Sequence, residues 1–253
     1  MILDHVGYPP SAYHTDPDQL PGPSIIAQIN EIVTELHTGK PIQYILGYTY
    51  FCDLEISVNE NTLIPRPETE ELVFKIIDHC LHSPATILDI GTGSGCIALA
   101  LKKRIPEASV EGIDVNKEAI KVASENGYNN RLEVTWSVGD ILNKAGWKEI
   151  GCFDLIASNP PYVRKGERAM MQANVLEFEP DEALFVEDGD PLVYYRAIAE
   201  FSISHLKESG TLWVEINEKF GAETSNLFKN AGFAQVTITN DIHEKERFIR
   251  AEK

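Results

Sequence analysis

Ile87-Leu88-Asp89-Ile90-Gly91-Thr92-Gly93-Ser94-Gly95-Cys96-Ile97-Ala98 reads as a buried strand that runs into a glycine-rich turn and then a helix. Glycines permit positive φ and let the backbone approach a ligand closely, beside the partial positive charge of a helix N-terminus. The spacing is G-x-G-x-G rather than the G-x-G-x-x-G of a dinucleotide turn. A second strand ends in Gly112-Ile113-Asp114, which sets a carboxylate 25 residues after Asp89. In a doubly wound sheet Asp114 then sits beside the first turn, where it can take both hydroxyls of a ribose. Asp89, at the end of the first strand, repels a pyrophosphate and suits a cationic ligand.

Strands and helices alternate outward from this turn. The patterning predicts strands over 86–90, 109–114, 132–137, 153–158 and 210–216, with 236–239 and 247–251 closing the sheet as a final pair. Helices are expected over 95–104, 117–126, 192–206 and 219–231. Such alternation argues an α/β fold, a doubly wound, mostly parallel seven-stranded sheet with helices on both faces. Upstream, apolar spacing predicts helices over 24–38 and 68–81, and the aromatic run 48–58 with Asp53 near its middle predicts a hairpin. Residues 1–23 look irregular. The chain therefore divides into a short helical N-terminal segment (1–45), a hairpin linker (46–62) and one large α/β domain (63–253).

Composition narrows the function classes. An apolar fraction of 43% and a charged fraction of 24% over 253 residues are those of a chain with a full core, which excludes disorder and a disulfide-stapled scaffold. The balance of 22 basic against 39 acidic residues gives −17, a charge that repels phosphate backbones and counts against a general nucleic-acid binder. The first 62 residues hold eight acidic residues and only Lys40, a face that suits a basic protein partner as well as plain solubility. Cys52, Cys80, Cys96 and Cys152 are widely spaced, with neither a CxxC pair nor a histidine cluster, and read as reduced thiols with no metal site. There is no apolar run of membrane-spanning length and no secretory signal at the N-terminus, so a cytoplasmic monomer with no membrane contact is expected.

At the end of the fourth strand, Asp154-Leu155-Ile156-Ala157-Ser158 leads into Asn159-Pro160-Pro161-Tyr162. Strand ends at the carboxyl edge are where open α/β sheets bind ligands. Two prolines stiffen the loop and remove two N–H donors, so its carbonyl oxygens are left as acceptors. Asn159 adds a side-chain carbonyl, and Tyr162 is expected to form an aromatic wall. An amide or aromatic-amine nitrogen is a poor nucleophile because its lone pair is delocalised. Two hydrogen bonds from its protons, to Asn159 Oδ1 and the Pro160 carbonyl, orient it and disfavour that delocalisation as charge develops. No strong base is needed; the proton can leave to water afterwards.

The D-x-G-x-G-x-G turn with a downstream acid resembles the S-adenosylmethionine site of class I methyltransferases. The Asn-Pro-Pro-Tyr tetrapeptide is similar to the signature of amino-methyltransferases acting on planar NH₂ groups. Further segments sharpen the resemblance: Pro41-Ile42-Gln43-Tyr44-Ile45-Leu46-Gly47, Phe51, Leu63-Ile64-Pro65-Arg66-Pro67-Glu68-Thr69-Glu70, Phe178-Glu179-Pro180, Ala183-Leu184 and Arg247-Phe248. From about residue 24 to the end, the chain resembles the bacterial peptide chain release factor glutamine N5-methyltransferases. That resemblance implies methyl transfer from S-adenosyl-L-methionine, with S-adenosyl-L-homocysteine as product, to the glutamine of the Gly-Gly-Gln motif in class-1 release factors. By position it implies that Asp89, Gly91, Thr92, Gly93, Ser94, Gly95 and Asp114 hold the cofactor, with Asp140 and Ile141 near the adenine and Asn159 facing both ligands. Asn159, Pro160, Pro161 and Tyr162 then hold the substrate, Asn159 and Pro160 as the catalytic pair, while Phe51 and the 65–70 segment border the pocket. Arg66 can instead form an ion pair with Glu68 or Glu70, and Phe51 can serve as hairpin packing.

Two departures from the family pattern stand out. Ile141 occupies a position where an aromatic residue commonly follows the acid, which makes the adenine contact aliphatic. Only one clear helix precedes Pro41, where the family usually carries several that help dock the release factor. Two other readings compete: an adenine-N6 methyltransferase on nucleic acid, which shares Asn-Pro-Pro-Tyr but sits badly with −17, and a non-catalytic scaffold, which sits badly with an intact turn, Asp114 and Asn159.

Overall fold

The computed structural model describes residues 2–8, 21–80 and 85–253. Strands β1 (Tyr48–Phe51) and β2 (Leu54–Ser57) form an antiparallel hairpin. Its two-residue turn, Cys52-Asp53, holds both residues at positive φ, 48° and 61°, which matches the right-handed twist of the strands it joins. The central sheet is built from β3 (Thr86–Ile90), β4 (Ser109–Asp114), β5 (Thr135–Val138), β6 (Phe153–Ser158), β9 (Leu206–Glu215), β10 (Gln235–Asn240) and β11 (Glu246–Glu252). β7 (Val163–Arg164) and β8 (Phe185–Val186) make a separate short parallel pair.

The seven strands lie in the order β10-β11-β9-β6-β3-β4-β5. β6, β3, β4, β5 and β9 pair in parallel; β11 runs antiparallel between β9 and β10. The order reverses at β3, so the crevice beside the carboxyl ends of β3, β4 and β6 is the natural ligand position. Alternate residues of the strands feed different layers. Ile87, Leu155, Ala157 and Trp213 pack with Leu72, Val73 and Ile76 of the helix Pro67–His79 and with the helix Cys96–Arg104. Leu88, Ile90, Ile156, Leu212 and Val214 pack with Tyr195, Ile198 and Phe201 of the helix Val193–His205 and with Phe228 of Gly221–Ala231. Both faces are covered, which explains why β3 and β6 are nearly continuous apolar runs.

The hairpin expected as a linker is not separate from this core. Phe51, Leu54 and Ile56 share the cluster containing Ile87 and Leu155. Asn126, buried on the helix Lys117–Asn130, accepts from the Ser57 N–H (2.7 Å) and donates to the carbonyls of Ser57 (3.0 Å) and Ser94 (2.9 Å). One side chain thereby ties the hairpin to the glycine turn. A smaller cluster of Val6, Ile32 and Leu46 holds the helix Pro23–Leu36 against the turn of helix Ile42–Leu46.

Several boundaries differ from the sequence reading. The helix expected to stop near 126 continues to Asn130 and closes on Arg131 in the left-handed region, which delays β5 to Thr135. β9 starts at Leu206, four residues early, with Ser209 at φ 63° where its register against β6 shifts. In the stretch expected to be irregular, Ile2–His5 makes a single helical turn, and residues 9–20 lie outside the described residues. The helix Pro67–His79 ends before Leu81, which also lies outside them.

Candidate active site

A cavity of about 260 Å³ opens at the carboxyl ends of β3, β4 and β6, lined in part by the glycine turn, Asp114, Asp140 and Asn159. The three glycines of the turn are needed for two different reasons. Gly91 (φ 70°) and Gly93 (φ 55°) line the cavity, and a Cβ built on either meets no atom within 4 Å. They leave bare backbone against open space, a cradle that side chains would fill. Gly95 (φ 83°) does not line the cavity. A Cβ there would stand 2.8 Å from Trp136 Cη2 and 3.1 Å from Ala123 Cβ, so this glycine is set by packing of the turn against the helix Lys117–Asn130 and β5.

Asp114 ends β4 facing the cavity. Its Oδ2 accepts the Gly93 N–H at 2.8 Å and its Oδ1 the Asn116 N–H at 2.8 Å. Burial pushes its carboxyl up, against the pull of those two N–H groups. Each oxygen keeps a second acceptor position, which fits a vicinal diol. Asp89 is placed differently from the expectation. It is wholly buried, lies outside the cavity lining, and holds the turn from beneath: Oδ2 accepts from Thr92 Oγ1 (2.6 Å) and the Ala98 N–H (3.2 Å). Its Oδ1 has no partner, and burial pushes the carboxyl up to about 7. The carboxylate had to move inward because Thr92 and the helix N-terminus supply its hydrogen bonds there.

Thr92 and Ser94 both line the cavity while nearly fully buried, and the Ser94 hydroxyl has no partner. Asp140 is exposed at the rim, where Oδ1 accepts the Leu142 N–H at 2.8 Å. Ile141 lines the same end, with the exposed apolar side chains of Val115 and Leu142 beside it and Tyr194 also in the wall. An open backbone cradle, a diol-fitting carboxylate, the unpartnered buried hydroxyl of Ser94 and an apolar end fit S-adenosylmethionine. Among the described residues no group of three or more His, Cys, Asp or Glu stands together as a metal site.

Asn159, Pro160 and Pro161 line the cavity directly after β6. Ser158 Oγ donates to the Ile90 carbonyl at 2.7 Å and locks the end of β6 to β3. The Asn159 amide donates from Nδ2 to Thr69 Oγ1 (3.0 Å), which engages its nitrogen and leaves its oxygen without a protein partner among the described residues. Tyr162 is not an aromatic wall. Its ring packs into the core and its hydroxyl donates to Glu215 Oε1 at 2.9 Å, outside the cavity lining, because a buried phenol needs an acceptor and β9 offers one. Burial and the nearby Glu215 carboxylate raise the Tyr162 phenol well above its ordinary value.

The cavity lining also includes Pro65, Arg66, Thr69, Pro180 and Ala183. Arg66 pairs with Glu179, not with Glu68 or Glu70, at 2.6 Å; the Glu179 side chain is 1% exposed and also accepts the Ile64 N–H at 3.1 Å. Glu70 instead accepts the Cys52 N–H at 2.6 Å. Phe51 does not border the pocket. It is 1% exposed in the core beneath the sheet, because the alternation of β1 turns it inward while Tyr50 faces out. Glu215, Tyr194 and Glu182 were not singled out from the sequence, and Thr69 only as part of the 65–70 segment. Only Glu215 carried a signal there: a carboxylate inside the apolar run Leu212-Trp213-Val214-Glu215-Ile216 is rarely buried without a purpose.

Residues 71–190 match the family model for the methyltransferase small domain. The chain is 46% identical to the release factor glutamine methyltransferase of Flavobacterium psychrophilum, over 89% of this chain and 80% of that protein. It is 40% identical to the protein of the same name from Bacteroides thetaiotaomicron, over 89% of this chain and 81% of its relative. Among solved structures, a methyltransferase from Pyrococcus furiosus superposes with a TM-score of 0.59 at 20% identity, covering 79% of this chain and 89% of that one. The Thermus thermophilus 16S rRNA N2 G1207 methyltransferase, solved with AdoMet and guanosine, gives 0.58 at 17% identity, over 81% and 49% of the two chains. These structural likenesses carry the fold, that of a Rossmann-like methyltransferase. Close identity along most of the chain, joined to a glycine turn, a strand-end acid and an Asn-Pro-Pro-Tyr loop at one sheet edge, makes this chain a member of the release factor glutamine methyltransferase family.

Proposed function

We propose that this protein transfers the methyl group of S-adenosyl-L-methionine to N5 of the glutamine in the Gly-Gly-Gln motif of class-1 peptide chain release factors. The observation that carries the reading is the Asn159 amide: with Nδ2 engaged by Thr69, Oδ1 is the end left for a ligand, and Pro160 lines the same cavity. The bound cofactor supplies an electrophilic methyl group. Asn159 Oδ1 and the Pro160 carbonyl accept the two protons of the substrate amide and hold its nitrogen toward that methyl. As positive charge grows on the nitrogen, both acceptors stabilise it more than they stabilise the neutral amide. Gly91, Gly93 and Asp114 would hold the cofactor by backbone approach and hydrogen bonds to its ribose, and Ile141 and Asp140 would border its adenine. The proton leaves to water after transfer.

The net charge of −17 favours a protein over a nucleic-acid substrate. Among the described residues no helix is long and apolar enough to cross a membrane, and we place the enzyme in the cytoplasm as a monomer. The test is methyl transfer from labelled cofactor to a purified release factor, beside its Gly-Gly-Gln to Gly-Gly-Ala variant and duplex DNA. Label in the wild-type factor alone is expected. Label in DNA, or equal label in the Gly-Gly-Ala variant, overturns the reading.

A further inference from the structure

Behind Asn159 lies a chain of hydrogen bonds with a defined direction. Asn159 Nδ2 stands 3.0 Å from Thr69 Oγ1, Thr69 Oγ1 donates to Glu215 Oε2 at 2.8 Å, and Tyr162 Oη donates to Glu215 Oε1 at 2.9 Å. Thr69 is 3% exposed and Glu215, outside the cavity lining, 1%, so the bond between them is shielded from bulk water. A hydroxyl has one proton. Thr69 commits that proton to the carboxylate, so only its lone pairs face Asn159, and Asn159 must present its NH₂ end. The amide oxygen is thereby the end left for a ligand, on a residue that lines the cavity. Were the amide reversed, an NH₂ group would face the NH₂ group of the substrate, donor against donor.

We propose that Thr69 and Glu215 are positioning residues for methyl transfer, which set the rotamer of the Asn159 amide through the polarity of this buried relay. The proposal rests on the reading of Asn159 Oδ1 as the acceptor for the substrate amide. The relay spans three elements that meet only in the folded chain: Thr69 in the first turn of the helix Pro67–His79, Asn159 after β6, and Glu215 at the end of β9. Tyr195 Oη donates to the Glu215 carbonyl at 3.1 Å and fixes that strand end. Tyr162 therefore anchors the loop to the same carboxylate that orders the amide, which accounts for a tyrosine that does not reach the cavity.

The test compares Thr69→Val, which removes the hydroxyl at nearly constant shape, with Thr69→Ser, which keeps it, and with Glu215→Gln. Thr69 and Tyr162 donate to different oxygens of Glu215, and in glutamine one of those two positions becomes an NH₂ donor, so the substitution disorders the polarity without removing bulk. Thr69→Val and Glu215→Gln are expected to lower kcat on the order of 10- to 100-fold, with cofactor Kd unchanged, and Thr69→Ser to recover most of the rate. A second readout does not depend on the substrate: solvent exchange of the Asn159 side-chain NH₂ protons by NMR, assigned by loss of the signal in Asn159→Ala. Exchange should quicken in Thr69→Val and slow again in Thr69→Ser. Wild-type kcat in Thr69→Val, unchanged NH₂ exchange, or equal loss in folded Thr69→Ser and Thr69→Val each overturns the proposal. If the wild-type enzyme leaves the release factor unlabelled, the substrate reading fails, and the exchange measurement still decides the relay.

Discussion

Asp89 and Asp114 stand near the ends of adjacent strands, one buried beneath the turn and the other bordering the cavity, and the difference governs what each substitution does. Asp114 borders the cavity with acceptor capacity to spare. Asp114→Ala is expected to raise the dissociation constant for S-adenosylmethionine roughly 10- to 150-fold, about 1.5–3 kcal/mol, by calorimetric titration; unchanged binding would remove it from the cofactor site. Asp89 is held where its charge is poorly solvated, and its carboxyl is pushed from 3.8 up to about 7. Between those values the folded protein holds a proton that the unfolded chain has released. Asp89 therefore favours the folded state most at low pH, and this contribution is lost as pH rises through that window. Asp89→Asn keeps a carbonyl acceptor for Thr92 and Ala98 without the charge. The stability of the variant minus that of the wild type, from denaturation without cofactor, should grow from pH 4 to pH 8, with a ceiling of about 4 kcal/mol. A flat difference would show that the carboxyl titrates normally.

The strand–turn–helix element asks different things of glycines two residues apart. Gly93→Ala places a methyl group toward open cavity, so it costs about 1 kcal/mol of left-handed strain and shows mainly as weaker cofactor binding. Gly95→Ala adds contacts at 2.8 and 3.1 Å to the same kind of strain, and should cost about 2–4 kcal/mol of stability. Thermal melts and cofactor titration of the two variants separate these effects; equal loss of Tm in both would contradict the assignment. The turn was legible in the sequence because G-x-G-x-G between an apolar strand and a helix has few other uses. That Gly95 serves packing was not, since Trp136 lies 41 residues further on.

At the scale of the whole molecule, the Arg66–Glu179 pair joins the segment before the helix Pro67–His79 to the segment after Phe178 across one side of the cavity. Arg66→Ala leaves the Glu179 carboxylate buried with the Ile64 N–H as its remaining partner. The expected loss is about 2–3 kcal/mol, below the figure for a fully buried pair because the arginine side chain is 30% exposed. Chemical denaturation measures it, and the cavity wall at Pro180 and Ala183 should loosen with it, raising KM for the substrate. A variant as stable as the wild type would mean that the pair contributes nothing to the fold.

Local pattern alone determined the order of strands and helices, the turn, the acid 25 residues on and the Asn-Pro-Pro-Tyr loop. Each is written in neighbouring residues, through apolar periodicity or the backbone limits of glycine and proline. The destination of a side chain is not written there. Phe51 and Tyr162 carry the right chemistry for a pocket, yet strand alternation buries one and a distant carboxylate captures the other. Arg66 passes over two nearby acids for one 113 residues away. Thr69, Asn159 and Glu215 become one relay only when a helix, a loop and a strand end converge. Hydrogen-bond partners of buried groups are chosen by which elements meet, and tertiary packing alone decides that.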